Sequence, residues 1–489
     1  CGRSWLPHVR VDLRAQAEKV GVHRRVPRPS GRRVKVAPLP IRNERAGLYT
    51  CGPTVYNYIH IGNLRTFVFA DILNRTFKYA GYSVRYVMNI TDVDDKIIRD
   101  AQAANESIFD FVRPYEKAFF DDIRKLNIEQ ASRYPKATEH IPEMIRIIQK
   151  LLKKGIAYKM DGSIYFAIRK FEPYGKLSRL KSRKIKASAR VDQDEYSKQD
   201  VQDFVLWKAK HEKTEPSWSA PFGEGRPGWH IECSAMSMKY LGETFDIHTG
   251  AVDLIFPHHE NEIAQSEGAT GKQFARFFVE GEHLLINGEK MSKSLHNFFT
   301  LRDIEAKNVD PLAFRYLVLT AHYRTKLNFT WESLAAAGNT LNRIRSDIGF
   351  LVNSRAHMGH LLAREMPPLG KLVAKCREDF RKATFDDLNM PQALVALHNL
   401  LRLRSKIKDS PELGRKIIET VKDFDRVLGL DLTKTKKETV PARLLELARE
   451  RETYRKQKAW AEADALRKEI ESLGYMVEDT PKGSRVRKQ

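Results

Sequence analysis

The stretch that most limits how this chain can fold runs from Gly47 to Thr91. GLYTC reads as a short strand, Leu64, Phe67, Val68, Ile72, Leu73 and Phe77 mark one face of a helix ending near Gly81, and SVRYVMNIT follows as a second strand. Strand, helix and strand over about forty residues make a βαβ unit and predict an α/β fold with a parallel sheet. In such sheets ligands sit at the carboxyl ends of strands, beside helix amino termini. The loop CGPTVYNYIHIGN occupies that place.

At 489 residues the chain exceeds what one hydrophobic core usually organises, so several domains are expected. Residues 1–45 are rich in Arg (Arg24, Arg25, Arg28, Arg32, Arg33), poor in acids and without apolar periodicity, which predicts a disordered basic arm. It lacks the apolar segment of a signal peptide. A transit peptide would be Ser-rich, and only Ser4 and Ser30 occur; the chain opens at Cys1, so a truncated or mis-extended start stands beside a targeting role. Residues 46–338 read as a Rossmann-type catalytic domain with an insertion at about 115–200, in which KMDGSIYFAI predicts a strand pair around Asp161 and Gly162. From Asn339 helical spacing takes over, as at Leu394, Leu397, Leu401 and Ile407, so 339–435 reads as a helical bundle. Residues 436–489 form a last subdomain, with a helix pair from Pro441 to Leu473 and Trp460 near its turn.

Hydrophobic residues make up 42% and charged residues 30%, and no stretch approaches the roughly 20 apolar residues of a membrane helix, which excludes a membrane-spanning chain. The formal charge of +23 attracts polyanions, so a nucleic-acid partner is favoured over a basic surface serving solubility alone. Four cysteines, Cys1, Cys51, Cys233 and Cys376, lie far apart without CxxC, a poor disulfide framework that predicts a reducing compartment.

Two short strings carry chemistry. His60, Ile61, Gly62 and Asn63 stand where a strand hands over to a helix: free amides and the dipole end suit phosphate, Gly62 lets a nucleotide approach the backbone, and His60 can donate to a phosphate oxygen. Alone, four residues specify little, since a histidine in a turn beside a glycine is common. Lys290, Met291, Ser292, Lys293 and Ser294 follow about 230 residues later, and two lysines with two hydroxyls suit a polyphosphate whose charge grows in the transition state. HIGN and KMSKS in this order resemble the two signatures of the class I aminoacyl-tRNA synthetases, with Asn63 departing from the fourth position of the first. The longer strings YTCGPTVYNYIHIGN, NITDVDDKII, FVLWK, PGWHIECSAMS and FPHHENEIAQSE are similar to the cysteinyl-tRNA synthetase family over residues 47–489.

Metal chemistry points the same way. His258 and Glu262 are four apart in a predicted helix opened by Pro257 and so share a face, while Cys51 and Cys233 sit in loops at other strand ends; two thiolates, an imidazole and a carboxylate make a zinc set. His259 and Glu260 are expected to point away. The resemblance implies the same four residues as ligands of one zinc per chain, and zinc explains how cysteine is told from serine: a soft thiolate binds it, whereas a hydroxyl stays protonated. A pocket relying on size alone would supply only about 1–3 kcal/mol.

The resemblance further implies a cysteine pocket at Thr91, Trp229 and His248, an ATP site at His60, Gly62, Asn63, Asp253 and Lys293, and catalysis by His60, Asn63, Lys290 and Lys293 with Mg²⁺ on the phosphates. The family usually has glycine two residues before that aspartate, and here Ala251 stands there. Trp460 matches the region that reads the anticodon, with a buried helix-turn aromatic as the other reading. The implied partners are tRNA(Cys), ATP and L-cysteine, the implied state a monomer and the location cytoplasmic, or organellar if the arm is a transit peptide. The rival functions are a ligase that transfers activated cysteine to an amino sugar and a non-catalytic tRNA-binding relative.

Overall fold

Four strands with almost no polar alternation set the architecture: β1 (Arg45–Thr50), β2 (Ser83–Met88), β3 (Phe245–Ala251) and β4 (Ala275–Gly281). Strands this apolar need cover on both faces, as in parallel α/β sheets. In the computed structural model all neighbours pair in parallel in the order β4-β3-β1-β2, with Leu48 opposite Tyr86 and Ile247, and Ile247 opposite Phe277. The described residues are 10–11, 35–36, 45–180, 185–191, 201–212, 214–291, 297–357, 367–409, 411–434, 441–480 and 483–488. The basic arm thus lies outside them except for Arg10–Val11 and Lys35–Val36, which pair in parallel.

The chain runs from β1 outward to β2, then returns to β3 and continues to β4 on the other side. β1 and β3 are therefore neighbours from which the chain departs in opposite directions, and this switch point opens a crevice at their carboxyl ends. Helix α1 (Ile61–Tyr79) fills the crossover from β1 to β2. The sequence predicted one buried face for it, yet every residue from Leu64 to Phe77 is buried. The inward polar residues are matched: Asp71 takes Arg75 at 2.8 Å and the fully buried Arg315 at 2.5 Å. A buried carboxylate needs such partners, because burying an unpaired charge is costly.

Between β2 and β3 lies a second sheet of Ala157–Met160, Ser163–Phe166, Ile185–Val191, Val201–Ala209 and Gly225–Pro227. Its first two strands form the hairpin read from KMDGSIYFAI, turning through Asp161 and Gly162, both at positive φ as tight hairpin turns require. Helix α2 (Trp229–Leu241) leads into β3, and α3 (His258–Thr270) joins β3 to β4. A long helix, Trp331–His357, opens before the Asn339 boundary read from the sequence, and Pro367–Phe385, Met390–Arg402 and Pro411–Leu428 follow.

The chain divides into two compact units, residues 1–433 and 434–489. The second has its own small core of Leu444, Leu447, Ala448, Ile470, Val477 and Val486. It contains the expected helices, Ala442–Lys456 and Trp460–Ser472, and also an antiparallel hairpin, Tyr475–Thr480 with Gly483–Lys488, that sequence reading missed. Trp460 is 58% exposed, which overturns the reading of it as a buried helix-turn aromatic.

Candidate active site and metal pocket

A cleft of about 680 Å³ opens at the switch point, walled by the loop after β1 from Cys51 to Asn63 and by Ala251, Asp253 and Leu254 after β3. His60 is the N-cap of α1: its backbone is extended, and its Nδ1 accepts from the Asn63 amide at 3.2 Å. An accepting Nδ1 puts the imidazole proton on Nε2, so the ring can donate from that atom. Burial pulls His60 down to about 4 against the opposing pull of Asp253, so the ring is neutral at physiological pH. Asn63 and Asp253 are exposed at the cleft.

The segment that follows the second signature reaches the same place. The Ile61 amide donates to Phe299 O at 2.9 Å, His60 bridges to Thr300, and the Phe298 ring meets the His60 ring edge-on at 5.2 Å. A Cβ added to Gly62 would stand 2.9 Å from the His60 ring and 3.8 Å from Met291 Cε, so the glycine keeps this contact open. Lys290 is exposed at the end of a short hairpin strand, its carbonyl taking Asn297 Nδ2 at 3.2 Å. Lys293 lies outside the described residues.

Beneath the cleft floor the structure brings together Cys51, Cys233, His258 and Glu262, all buried, with one ligand atom from each within 4.8 Å of the others. Cys51 follows β1, Cys233 is on the first turns of α2, and His258 and Glu262 share a face of α3. Cys51 Sγ lies 3.9 Å from Cys233 Sγ and 3.6 Å from Glu262 Oε1, and His258 Nε2 lies 2.9 Å from Glu262 Oε1. His230 Nδ1 sits 2.9 Å from His258 Nδ1, which leaves His258 Nε2 facing the pocket. Gly52 is required beside Cys51, since a Cβ there would fall 1.8 Å from Asn89 O.

Burial would raise Glu262, but the imidazoles of His248 and His258 outweigh it and hold the carboxyl well below the usual range. Burial works against charge on His258, yet Glu262 and Cys233 push it up to about 10. Burial likewise opposes a Cys233 thiolate, and the hydrogen bond from Cys51 with the contact to His258 still brings it down to about 6; the same burial and pairing push Cys51 up. Two protons, on Cys51 and His258, thus stand between a thiolate and a carboxylate, where a dication would put its charge. The donor set fits a soft divalent metal, whose binding would displace both.

The remaining expected positions fall in two groups. Trp229 lines the cleft with its ring 4.3 Å from that of His258. Thr91 and His248 do not line it: Thr91 donates to Glu232 Oε2 at 3.1 Å, and His248 Nε2 lies 2.8 Å from Glu262 Oε2. Glu260 does point away, accepting from the Gly175, Leu177 and Ser178 amides. His259 does not: its Nε2 is 3.5 Å from Cys51 Sγ, and its Nδ1 is 2.8 Å from Glu280. Sequence reasoning also missed Glu232, which burial pushes well above the carboxylate range, and Lys96 and Arg99, cleft residues of the string NITDVDDKIIRD.

Residues 38–339 match the family model of the tRNA synthetases class I (C) catalytic domain, more than half of the chain. A cysteine–tRNA ligase of Leptospira interrogans is 44% identical over 469 residues, spanning 94% of this chain and 98% of the relative. The chain belongs to the cysteine–tRNA ligase family of class I synthetases. A second family member, from Chlamydia felis, is 46% identical over 91% of this chain and 94% of its own length. Residues 438–487 of this synthetase match the Cysteinyl-tRNA ligase anticodon binding domain. Among solved structures, methionyl-tRNA synthetase of Mycobacterium tuberculosis in complex with methionyl-adenylate superposes with a TM-score of 0.58 at 14% identity, covering 79% of this chain and 90% of that one. A leucyl-tRNA synthetase complex of Agrobacterium radiobacter gives 0.58 at 10% identity, over 80% and 85%. At such identities these likenesses bear on the fold of the synthetase alone.

Proposed function

We propose that the cleft activates L-cysteine with ATP to cysteinyl adenylate and then passes the cysteinyl group to tRNA(Cys). One observation carries the reading: a phosphate-ready helix terminus at His60–Asn63 and a pocket of two sulfurs, an imidazole and a carboxylate adjoin a single cleft.

The cysteine carboxylate attacks the α-phosphate of ATP, releasing pyrophosphate, and a terminal ribose hydroxyl of the tRNA then attacks the activated carbonyl. Neither step needs a protein nucleophile, so positioning and charge stabilisation do the catalysis. The neutral His60 donates from Nε2 to phosphate, Asn63 and Gly62 hold the nucleotide at the start of α1, Asp253 takes the ribose, and Lys290 with Lys293 meets the charge of the departing pyrophosphate. Mg²⁺ accompanies ATP. Cys51, Cys233, His258 and Glu262 would hold one zinc, which would supply a soft Lewis-acid site for the substrate sulfur. Trp229 walls that site, while Thr91 and His248 support it through Glu232 and Glu262. Trp460, exposed on the second unit, reads tRNA. The enzyme acts as a monomer in the cytoplasm. Among the described residues no helix is long and apolar enough to cross a membrane. Transfer to an amino sugar needs no anticodon reader, and the match of residues 438–487 favours tRNA instead.

The test offers the protein a total tRNA pool with each amino acid in turn and measures charging and pyrophosphate exchange. Only cysteine should support either activity. A chain ending at residue 434 should keep cysteine-dependent exchange and lose charging; charging with another amino acid, or by the shortened chain at full rate, would overturn the assignment.

A further inference from the structure

His259 is where the pocket departs from the expected four-ligand arrangement. Its Nε2 and the side chains of Cys51, His248 and Glu262 form a second buried group whose ligand atoms lie within 4.8 Å of one another. This group shares Cys51 and Glu262 with the first and replaces Cys233 and His258 by His248 and His259. Glu262 faces both ways, Oε1 toward His258 at 2.9 Å and Oε2 toward His248 at 2.8 Å. Behind His259, Glu280 Oε1 meets Nδ1 at 2.8 Å. A carboxylate on the far nitrogen of an imidazole is the usual support of a metal-binding histidine, because it fixes the ring and directs the other nitrogen's lone pair.

We propose that the pocket offers a divalent metal two alternative positions, of which the second, made by Cys51, His248, His259 and Glu262, lies deeper and holds the ion away from the substrate. The two positions share Cys51 and Glu262, with one ion proposed to occupy one position at a time, so that two ions bound per chain would contradict the proposal. Two thiolates favour zinc in the first position, and one thiolate with two imidazoles makes the second a less sulfur-rich alternative. Their surroundings differ. His258 of the first set packs on Trp229, a wall of the cleft, at 4.3 Å. His248 and His259 instead pack on Phe278, at 5.2 and 5.6 Å; of either set only Cys51, which both share, lines the cleft itself. An ion at the second position would thus sit on the Phe278 side of the pocket and not against the Trp229 wall, parked away from an incoming sulfur.

The inference rests on the metal reading of the first set, and cobalt substitution separates the two. Wild-type protein should bind one cobalt per chain, with sulfur-to-cobalt absorption that rises when cysteine is added. If it binds none, the metal reading itself fails, and this proposal with it. With wild type loaded, Cys233→Ala and His258→Ala should each still bind one cobalt per chain, with no response to cysteine. The Cys233→Ala absorption should be about half that of wild type, since one thiolate remains of two. Adding His259→Ala to either variant should abolish binding, whereas His259→Ala alone should leave wild-type cobalt content. Glu280→Gln should weaken cobalt binding about 10- to 100-fold in the Cys233→Ala background and little in wild type. The proposal is overturned if the two single variants lose cobalt, or keep it with His259 removed. It is also overturned if they fail to fold with cobalt present, because a complete second donor set should sustain the fold.

Discussion

The buried metal pocket and the phosphate edge of the same cleft handle charge in opposite ways. In the pocket three of the four expected ligands are held from behind: Glu262 by His248, His258 by His230, Cys51 by the turn at Gly52. At the edge, Lys290 and Asn63 are exposed, and the charge they are proposed to meet arrives with ATP. The difference follows from when the charge appears. A resident ion needs permanent, desolvated ligands, whereas a developing pyrophosphate is served by cations that stay hydrated until it forms.

The largest effect should come from Cys51→Ala, because Cys51 belongs to both donor sets. Metal should be lost from the protein, and cysteine-dependent pyrophosphate exchange should fall about a thousandfold, equivalent to several kcal/mol of lost stabilisation. Metal analysis with exchange assays checks it; retained metal would break the distinction between fixed pocket and recruited edge. Lys293→Ala should slow adenylate formation by about 10²–10³ while the cysteine Michaelis constant and the metal content stay near wild type, as expected for a contact made only in the transition state. A raised Michaelis constant with unchanged turnover would move Lys293 to the ground state.

His60→Ala should be smaller, about 10- to 100-fold in turnover for one hydrogen bond to a charged group, with about 1 kcal/mol of stability lost as α1 loses its cap. His60 also gives a pH signature. Its folded value of about 4 lies below the ordinary 6.5. As pH falls below about 6.5 the unfolded chain takes a proton that the folded site refuses until about 4, so stability declines across that window. Melting temperatures of wild type and variant should therefore converge on acidification, and a constant gap would contradict it. The least effect on activity belongs to Cys376→Ser: buried in the helical region, it should cost about 1–3 kcal/mol of stability and leave metal and exchange untouched.

What could be read in advance depended on whether a residue's partners were near it in sequence or marked by a distinctive string. The βαβ start was legible because turn residues and apolar spacing are local. Cys51, Cys233, His258 and Glu262 could be named because their donor chemistry is rare and their strings long, and the structure brings them together. His259 was misplaced for a physical reason. Neighbours on a helix point about 100° apart, which on a half-exposed helix separates pocket from solvent; α3 is buried without a break from His258 to Ser266, so both directions meet protein. Glu280 was invisible for the complementary reason, since its role depends on β4 lying beside β3. The terminal hairpin was missed because, among the described side chains of its strands, Val477 and Val486 enter the core with Tyr475 packed against it, too few for an alternating pattern.

The switch-point topology also sets a timetable for biogenesis. Cys51 precedes Glu262 by 211 residues, and β4, which carries Glu280, comes later still. At about 5–20 residues per second, a ribosome needs roughly ten to forty seconds to make that span. During that interval the nascent chain carries the Cys51 thiol without the rest of its pocket, open to oxidation or to capture by stray metal. Loading of a metal at this pocket would therefore be a late event in this protein's birth, after β4 has been made.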